Sequence, residues 1–367
     1  MERRSRENHP NEQKNLQEKA AEVSRFAEQL TKDEPTVAPA ARLFLFAKGT
    51  LTQQREGRAP LPDEQDRWQK KIARMVEEEQ WYRQAQVLPT IGIEIELPKS
   101  VINTQKQDIL NALHIPAGTE PSFPGLYEVN PDFTYSALPQ ARILQSMDDL
   151  NMLPVDRDGR IPTRSMLSLH VNFGIPAKLD DRSKVFENMR QRGLQAMTLA
   201  NAFVVGFSNP DRILKRKTRE AVKVKPTHRD YKKGYVKIHS PSLHRLEIRP
   251  AEFRDYPTYR LLIEGQRVTA ALFASVAKHY ELALSPTEEL LSETWNTFER
   301  EVRQAFLAKR ITIEDIDHAD DRNHQRVWAA MVQGDVSDTV RKSIHQCSAR
   351  VAKILELPTV RKPEIEQ

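Results

Sequence analysis

The chain holds one cysteine, Cys347, in 367 residues. A single thiol excludes an internal disulfide framework and a thiolate zinc cluster, and it fits a reducing, intracellular setting. Glycine is scarce at 12 residues, and neither Gly-x-x-x-x-Gly-Lys-Ser/Thr nor Gly-x-Gly-x-x-Gly occurs. The two common phosphate loops are therefore absent, and any nucleotide is bound another way. No apolar run approaches the ~18 residues of a membrane helix. The opening residues, Met1 to Glu7, are charged and have no apolar core after them, so no signal peptide is expected. These absences lead to the expectation of a soluble, cytoplasmic protein. Basic residues exceed acidic ones by 56 − 51 = 5. That balance favours anionic ligands weakly and does not by itself imply nucleic acid.

What is present begins with Thr90-Ile91-Gly92-Ile93-Glu94-Ile95-Glu96-Leu97. Read as a β-strand, it places Ile91, Ile93, Ile95 and Leu97 on one face and Gly92, Glu94 and Glu96 on the other. Ser165 to Phe173 alternates again, with Ser168, His170 and Asn172 opposed to Leu169, Val171 and Phe173. His244 to Pro250 repeats the pattern, with Arg245, Glu247 and Arg249 on one face and Leu246 and Ile248 on the other. Between the first two strands, a loop stiffened by Pro121, Pro124 and Gly125 leads into a short strand in which Leu126, Glu128 and Asn130 share a face; Glu120 opens that loop.

Helices are expected over 63–86, 104–114, 136–151, 180–205 and 257–280, with Asp63 as an N-cap, and over most of 286–357 with a break near 310–322. Residues 50–63 read as a loop around Gly57, Pro60 and Pro62. Within 209–240, eleven basic residues from Arg212 to Lys237 face only Asp211, Glu220 and Asp230. This stretch reads as a mobile loop that meets phosphates or another anion. It also sustains a second reading, in which the protein is a nucleic-acid or regulatory binding module. Asp317, His318, Asp320 and Asp321 read as capping and solvated residues in the helix break.

If the polar faces belong to one antiparallel sheet, they line a single surface. Carboxylates with one imidazole and no thiolate suit a hard divalent cation, Mg²⁺ or Mn²⁺. Arginines beside them suit phosphate or carboxylate, gripped at two points. The chemistry that uses all three is phosphoryl transfer from a nucleotide.

The order of these motifs resembles the glutamine synthetase and glutamate–cysteine ligase superfamily of carboxylate–amine ligases, and within it the amidoligase-like branch. The resemblance spans roughly 88–282 and rests on Gly92 to Glu96, on Glu120 with Glu128 eight residues on, on Leu169 to Asn172, and on Arg245 to Pro250. Leu126 stands where the family often has Gln, and Met166, Leu167 and Ser168 replace its glycine-rich lead-in.

The resemblance implies an α+β fold: a curved antiparallel sheet with a polar concave active-site face, packed by helices. It implies ATP and Mg²⁺ (or Mn²⁺) as cofactors. Glu94, His170 and Glu247 would surround one metal, and Glu96, Glu120 and Glu128 the other. Arg245 and Asn172 would meet the nucleotide, and Arg249, catalytic together with Arg245, would meet the transferred phosphoryl or the substrate carboxyl. The substrates would be a small-molecule or peptide carboxylate and an amine. A guanidino-type phosphotransferase would use the same logic without forming an amide. Around this ligase-like region at 89–282, the sequence divides into a charged, partly disordered tail over 1–35, a helical region over 36–88 and a C-terminal helical region over 283–367. Within the tail, Leu16 to Leu30 has helical periodicity. Oligomeric state is left open.

Overall fold

The structure is a computed structural model that describes residues 9–119, 125–153, 168–176, 184–185, 202–203, 206, 236–238, 245–248, 255–312 and 334–357. It is an α+β fold of helices and antiparallel strands. The chain forms two compact units, Met1–Arg83 with Gly92–Leu167, and Gln84–Ile91 with Ser168–Gln367.

In the first unit, α1 (His9–Leu30) extends further toward the N-terminus than the periodicity of 16–30 marks. Ala20, Ser24 and Ala27 form its buried stripe, and these small side chains let it lie close on α2 (Ala38–Glu56). Helix α2 lies within the region expected to be helical over 36–88, but the sequence reading gave it no bounds of its own. Every residue from Ala38 to Ala47 is buried, so the segment has no polar face and no amphipathic period to detect. It ends at Gly57, whose φ of +66° supplies the left-handed cap. The loop expected over 50–63 therefore shrinks to the few residues after Glu56.

Arg42 is buried with the rest of α2, and its Nε donates to the Leu113 carbonyl (2.7 Å) at the end of α4 (Thr104–Ala112). A cation there completes carbonyls that the helix leaves without partners. Helix α3 (Pro62–Ala85) buries Ile72, Met75, Glu79 and Tyr82 along one stripe; Asp63 lies inside its first turn instead of capping it. Ser136 caps α5 (Ala137–Asp149) by accepting from the Leu138 N–H.

Strands β1 (Ile91–Pro98), β2 (Ala117–Thr119) and β3 (Leu126–Val129) pair antiparallel in the order β2-β3-β1, with Glu96 opposite Glu128 and Glu128 opposite Gly118. The apolar face of β1 is fully buried, as its alternation predicts.

In the second unit, β4 (Ser168–Gly174), β5 (Val236–Ile238) and β6 (Arg245–Ile248) pair antiparallel in the order β4-β6-β5. Strand β5 takes the end of the basic stretch, so Lys237 is a strand residue, not part of a loop. The remainder of 209–235 lies outside the described residues, as do most of the expected helix 180–205 and the Asp317–Asp321 cluster.

Helix α6 (Asp255–His279) is buried without interruption from Leu261 to Ala277. It comes closest to β4 at Gly265, where a Cβ would stand 2.8 Å from the Phe173 ring and 2.9 Å from that of Phe203. A full capping box between Ser285 and Glu288 starts α7 (Pro286–Leu307). Helices α7 and α8 (Gly334–Ile354) pack on α6 and bury Trp295, Phe298 and Val302 of α7 and Val340, Ile344 and Val351 of α8. The Pro89 carbonyl is tied to Gln266 Nε2 (2.7 Å) and the Thr90 carbonyl to the Gly174 N–H (2.9 Å), which seats the chain just before β1 in this unit.

Candidate metal centre

The polar faces are taken unit by unit. In the first, Glu94 and Glu96 alternate with buried Ile93, Ile95 and Leu97 and are themselves half-buried. Two residues along a strand span about 7 Å, yet their carboxylate oxygens come within 4.8 Å of each other. Glu128 stands opposite Glu96, and the Asn130 amide donates to it. On the other side of Glu128 lies Gly118, and nothing stands within 4 Å of where its Cβ would be. Three carboxylates thus share one strand face with open space beside them. Gly92 has the same parity, and the Phe133 ring lies over it, 2.9 Å from where a Cβ would be. That close approach explains the glycine at the head of the acidic pair.

In the second unit the polar face is sealed. Glu247 is 0% exposed, Asn172 2% and His170 3%. Asn172 and Glu247 are register partners on β4 and β6, so their side chains stand side by side. His170, two residues along β4, brings Nδ1 to 3.4 Å from Glu247 Oε1. Lys237 is the register partner of Glu247 on its other side. Arg245 is half-buried and opposite Gly174. A carboxylate with no solvent must be compensated by what surrounds it. Asn172 Oδ1 adds an acceptor that no donor among the described residues satisfies.

Of the residues the sequence singled out, the structure gathers Glu94, Glu96 and Glu128 in the first unit and His170, Asn172 and Glu247 in the second. Glu120 and Arg249 lie outside the described residues. The sequence reading did not anticipate two further polar clusters. In the first unit Glu79, wholly buried, accepts from the backbone N–H groups of Tyr135 (2.7 Å) and Ser136 (2.6 Å). Burial pushes its carboxyl above the ordinary value of 4.5, against the pull of those two hydrogen bonds. In the second, Glu264 is buried between Arg260 Nε (3.0 Å) and His345 Nδ1 (3.1 Å). Both occupy otherwise buried helix stripes, and only a glutamate interrupting such a stripe signals them.

A set of carboxylates, an amide oxygen and one imidazole matches the donors of a hard divalent cation. Compared with known proteins, the sequence matches no family model and no curated protein.

Proposed function

We propose that this protein is an ATP- and Mg²⁺-dependent carboxylate–amine ligase that forms an amide bond, γ-glutamyl or peptide, through an acyl phosphate. The observation that carries the reading is the sealed Glu247, with His170 Nδ1 at 3.4 Å and Arg245 two residues away on the same strand. The close pair Glu94 and Glu96, with Glu128 across from Glu96, supports it. In the proposed site the strands form a curved sheet with a concave polar face. Glu94, His170 and Glu247 hold one cation, and Glu96, Glu120 and Glu128 the other. Bound there, Mg²⁺ neutralises charge on the nucleotide phosphates.

The remaining chemistry belongs to the chain's own groups. A carboxylate is a poor electrophile because its charge repels a lone pair and no good leaving group is attached. Transfer of the γ-phosphoryl to a carboxylate oxygen supplies that leaving group, and the amine then displaces phosphate. Arg245 and Arg249 offset the charge that moves with the phosphoryl. Asn172, with Arg245, meets the nucleotide.

The test is ADP release with a panel of amino acids and amines, with and without Mg²⁺, followed by ¹⁸O-labelled carboxylate for any active acid. The proposal expects one labelled oxygen in the released phosphate. Label in AMP would indicate adenylation. Nucleotide turnover that is absent throughout, together with RNA or DNA binding, would favour the binding-module reading.

A further inference from the structure

The sealed face of the second unit contains a chemical mismatch. Asn172 Oδ1 and the Glu247 carboxylate are acceptors set side by side by the strand register, and both residues are at least 98% buried. Oδ1 has no hydrogen-bond donor among the described residues. Leaving such an oxygen dry and unsatisfied is unfavourable. The nearby imidazole adds a third group that can offer a lone pair. Its Nδ1 stands 3.4 Å from the carboxylate oxygen, longer than the roughly 2.7–3.2 Å usual for N–H···O. It does match adjacent ligands around a six-coordinate cation, which at bond lengths of about 2.1–2.4 Å lie roughly 3.0–3.4 Å apart.

We infer that Asn172 is a direct amide-oxygen ligand of a divalent cation, completing with His170 and Glu247 a three-ligand set held within the second unit alone. The inference rests on the metal-dependent reading above but assigns Asn172 a new role, as a cation ligand in place of a contact to nucleotide. Carbonyl oxygens suit hard cations, and an N,O,O set made by two paired strands is rigid enough to bind one before any nucleotide arrives. A bare ammonium would satisfy the same oxygens, and the experiment separates the two.

Mn²⁺ is titrated into the full chain without nucleotide and followed by electron paramagnetic resonance, with thermal melting run in parallel. The wild type is expected to bind Mn²⁺, and Asn172→Ala to weaken the tightest site by about tenfold or more. Asn172→Asp keeps the shape and adds a charge. It is expected to melt lower than the wild type in the metal-free state, because it faces Glu247, and to gain a larger rise in Tm from Mn²⁺. No Mn²⁺ binding by the wild type, wild-type affinity in Asn172→Ala, or an Mn²⁺-induced rise no larger in Asn172→Asp would each overturn the inference. Lysine or ammonium raising Tm where Mn²⁺ does not would do the same and name the other occupant. The two proposals fail separately. Acyl-phosphate turnover with unaltered Mn²⁺ binding in Asn172→Ala removes only the ligand assignment. Asn172-dependent Mn²⁺ binding without turnover on any substrate removes only the ligase.

Discussion

Two glutamates lose all contact with solvent, Glu79 in the first unit and Glu247 in the second, and they are held in opposite ways. Glu79 accepts two backbone N–H groups at 2.7 and 2.6 Å at the start of α5, where the helix dipole also favours an anion. Its two hydrogen-bond donors are main chain and cannot leave, and the Arg83 guanidinium stands 3.8 Å away. Glu247 sits on a strand face beside an imidazole at 3.4 Å and an amide oxygen with no donor among the described residues. The imidazole and the amide beside it are side chains, not main chain. The first arrangement is closed on itself and serves the fold. In the second, Asn172 Oδ1 has no donor among the described residues, and under the proposal above a cation completes it, as a site would differ from a clamp.

The strongest way to break this contrast is Glu79→Ala. The Tyr135 and Ser136 N–H groups lose their acceptor, at roughly 1–3 kcal/mol each, so denaturant unfolding should show a loss of about 2–6 kcal/mol. A loss below 1 kcal/mol would mean that water replaces the carboxylate and that the clamp is not closed.

Next is Gly265→Ala. Its Cβ would meet the rings of Phe173 and Phe203, both fully buried, and overpacking of this kind costs about 1–3 kcal/mol. Gly92→Ala has an equally short contact, with Phe133. That ring is half-buried and can swing aside, so its cost should be the smaller of the two. Equal losses would show that the face around β1 is as rigid as the one under α6.

Glu247→Gln should change metal-free stability by less than about 1 kcal/mol, because removing a desolvated charge offsets the lost attraction, while the Mn²⁺-dependent rise in Tm disappears. A large metal-free loss would make Glu247 a clamp like Glu79.

A pH series sharpens the comparison. The folded state raises the Glu79 pKa, so it binds that proton more tightly than the unfolded chain does. The stabilisation this gives is complete below 4.5 and is lost as pH rises through the folded value. Wild-type stability relative to Glu79→Gln should therefore fall as pH increases above about 4.5 in paired denaturation curves. A difference independent of pH would contradict the raised pKa. The smallest stability effect is expected for half-buried Glu96→Gln, within about 0.5 kcal/mol, with Mg²⁺–nucleotide affinity reduced in a binding titration.

The parts of this architecture that were legible in sequence are those with a period. Strands β1, β4 and β6 announced themselves by alternation, and parity alone put His170 and Asn172 on one face. The helix expected over 136–151 corresponds to α5. The bounds of helix α2, inside a region expected to be helical, were not legible because its core segment is buried on every side, which erases the amphipathic signal. Strand β5 was hidden by the charge of its neighbours in 209–235. The Asn172–Glu247 pairing was out of reach for another reason. Register between strands more than 70 residues apart is set by packing and by the intervening chain, and neither is written in local composition.

The tie between Gln266 and Pro89 has a consequence for synthesis on the ribosome. It joins positions 177 residues apart, and at about 5–20 residues per second the later one emerges roughly 10–35 s after the earlier. The segment 84–91 must wait through that interval with Leu88 and Ile91, both destined for full burial, still without their packing partners. Chains stalled before Gln266 should accordingly be cleaved by protease between α3 and β1, and chains stalled well beyond α6 should resist.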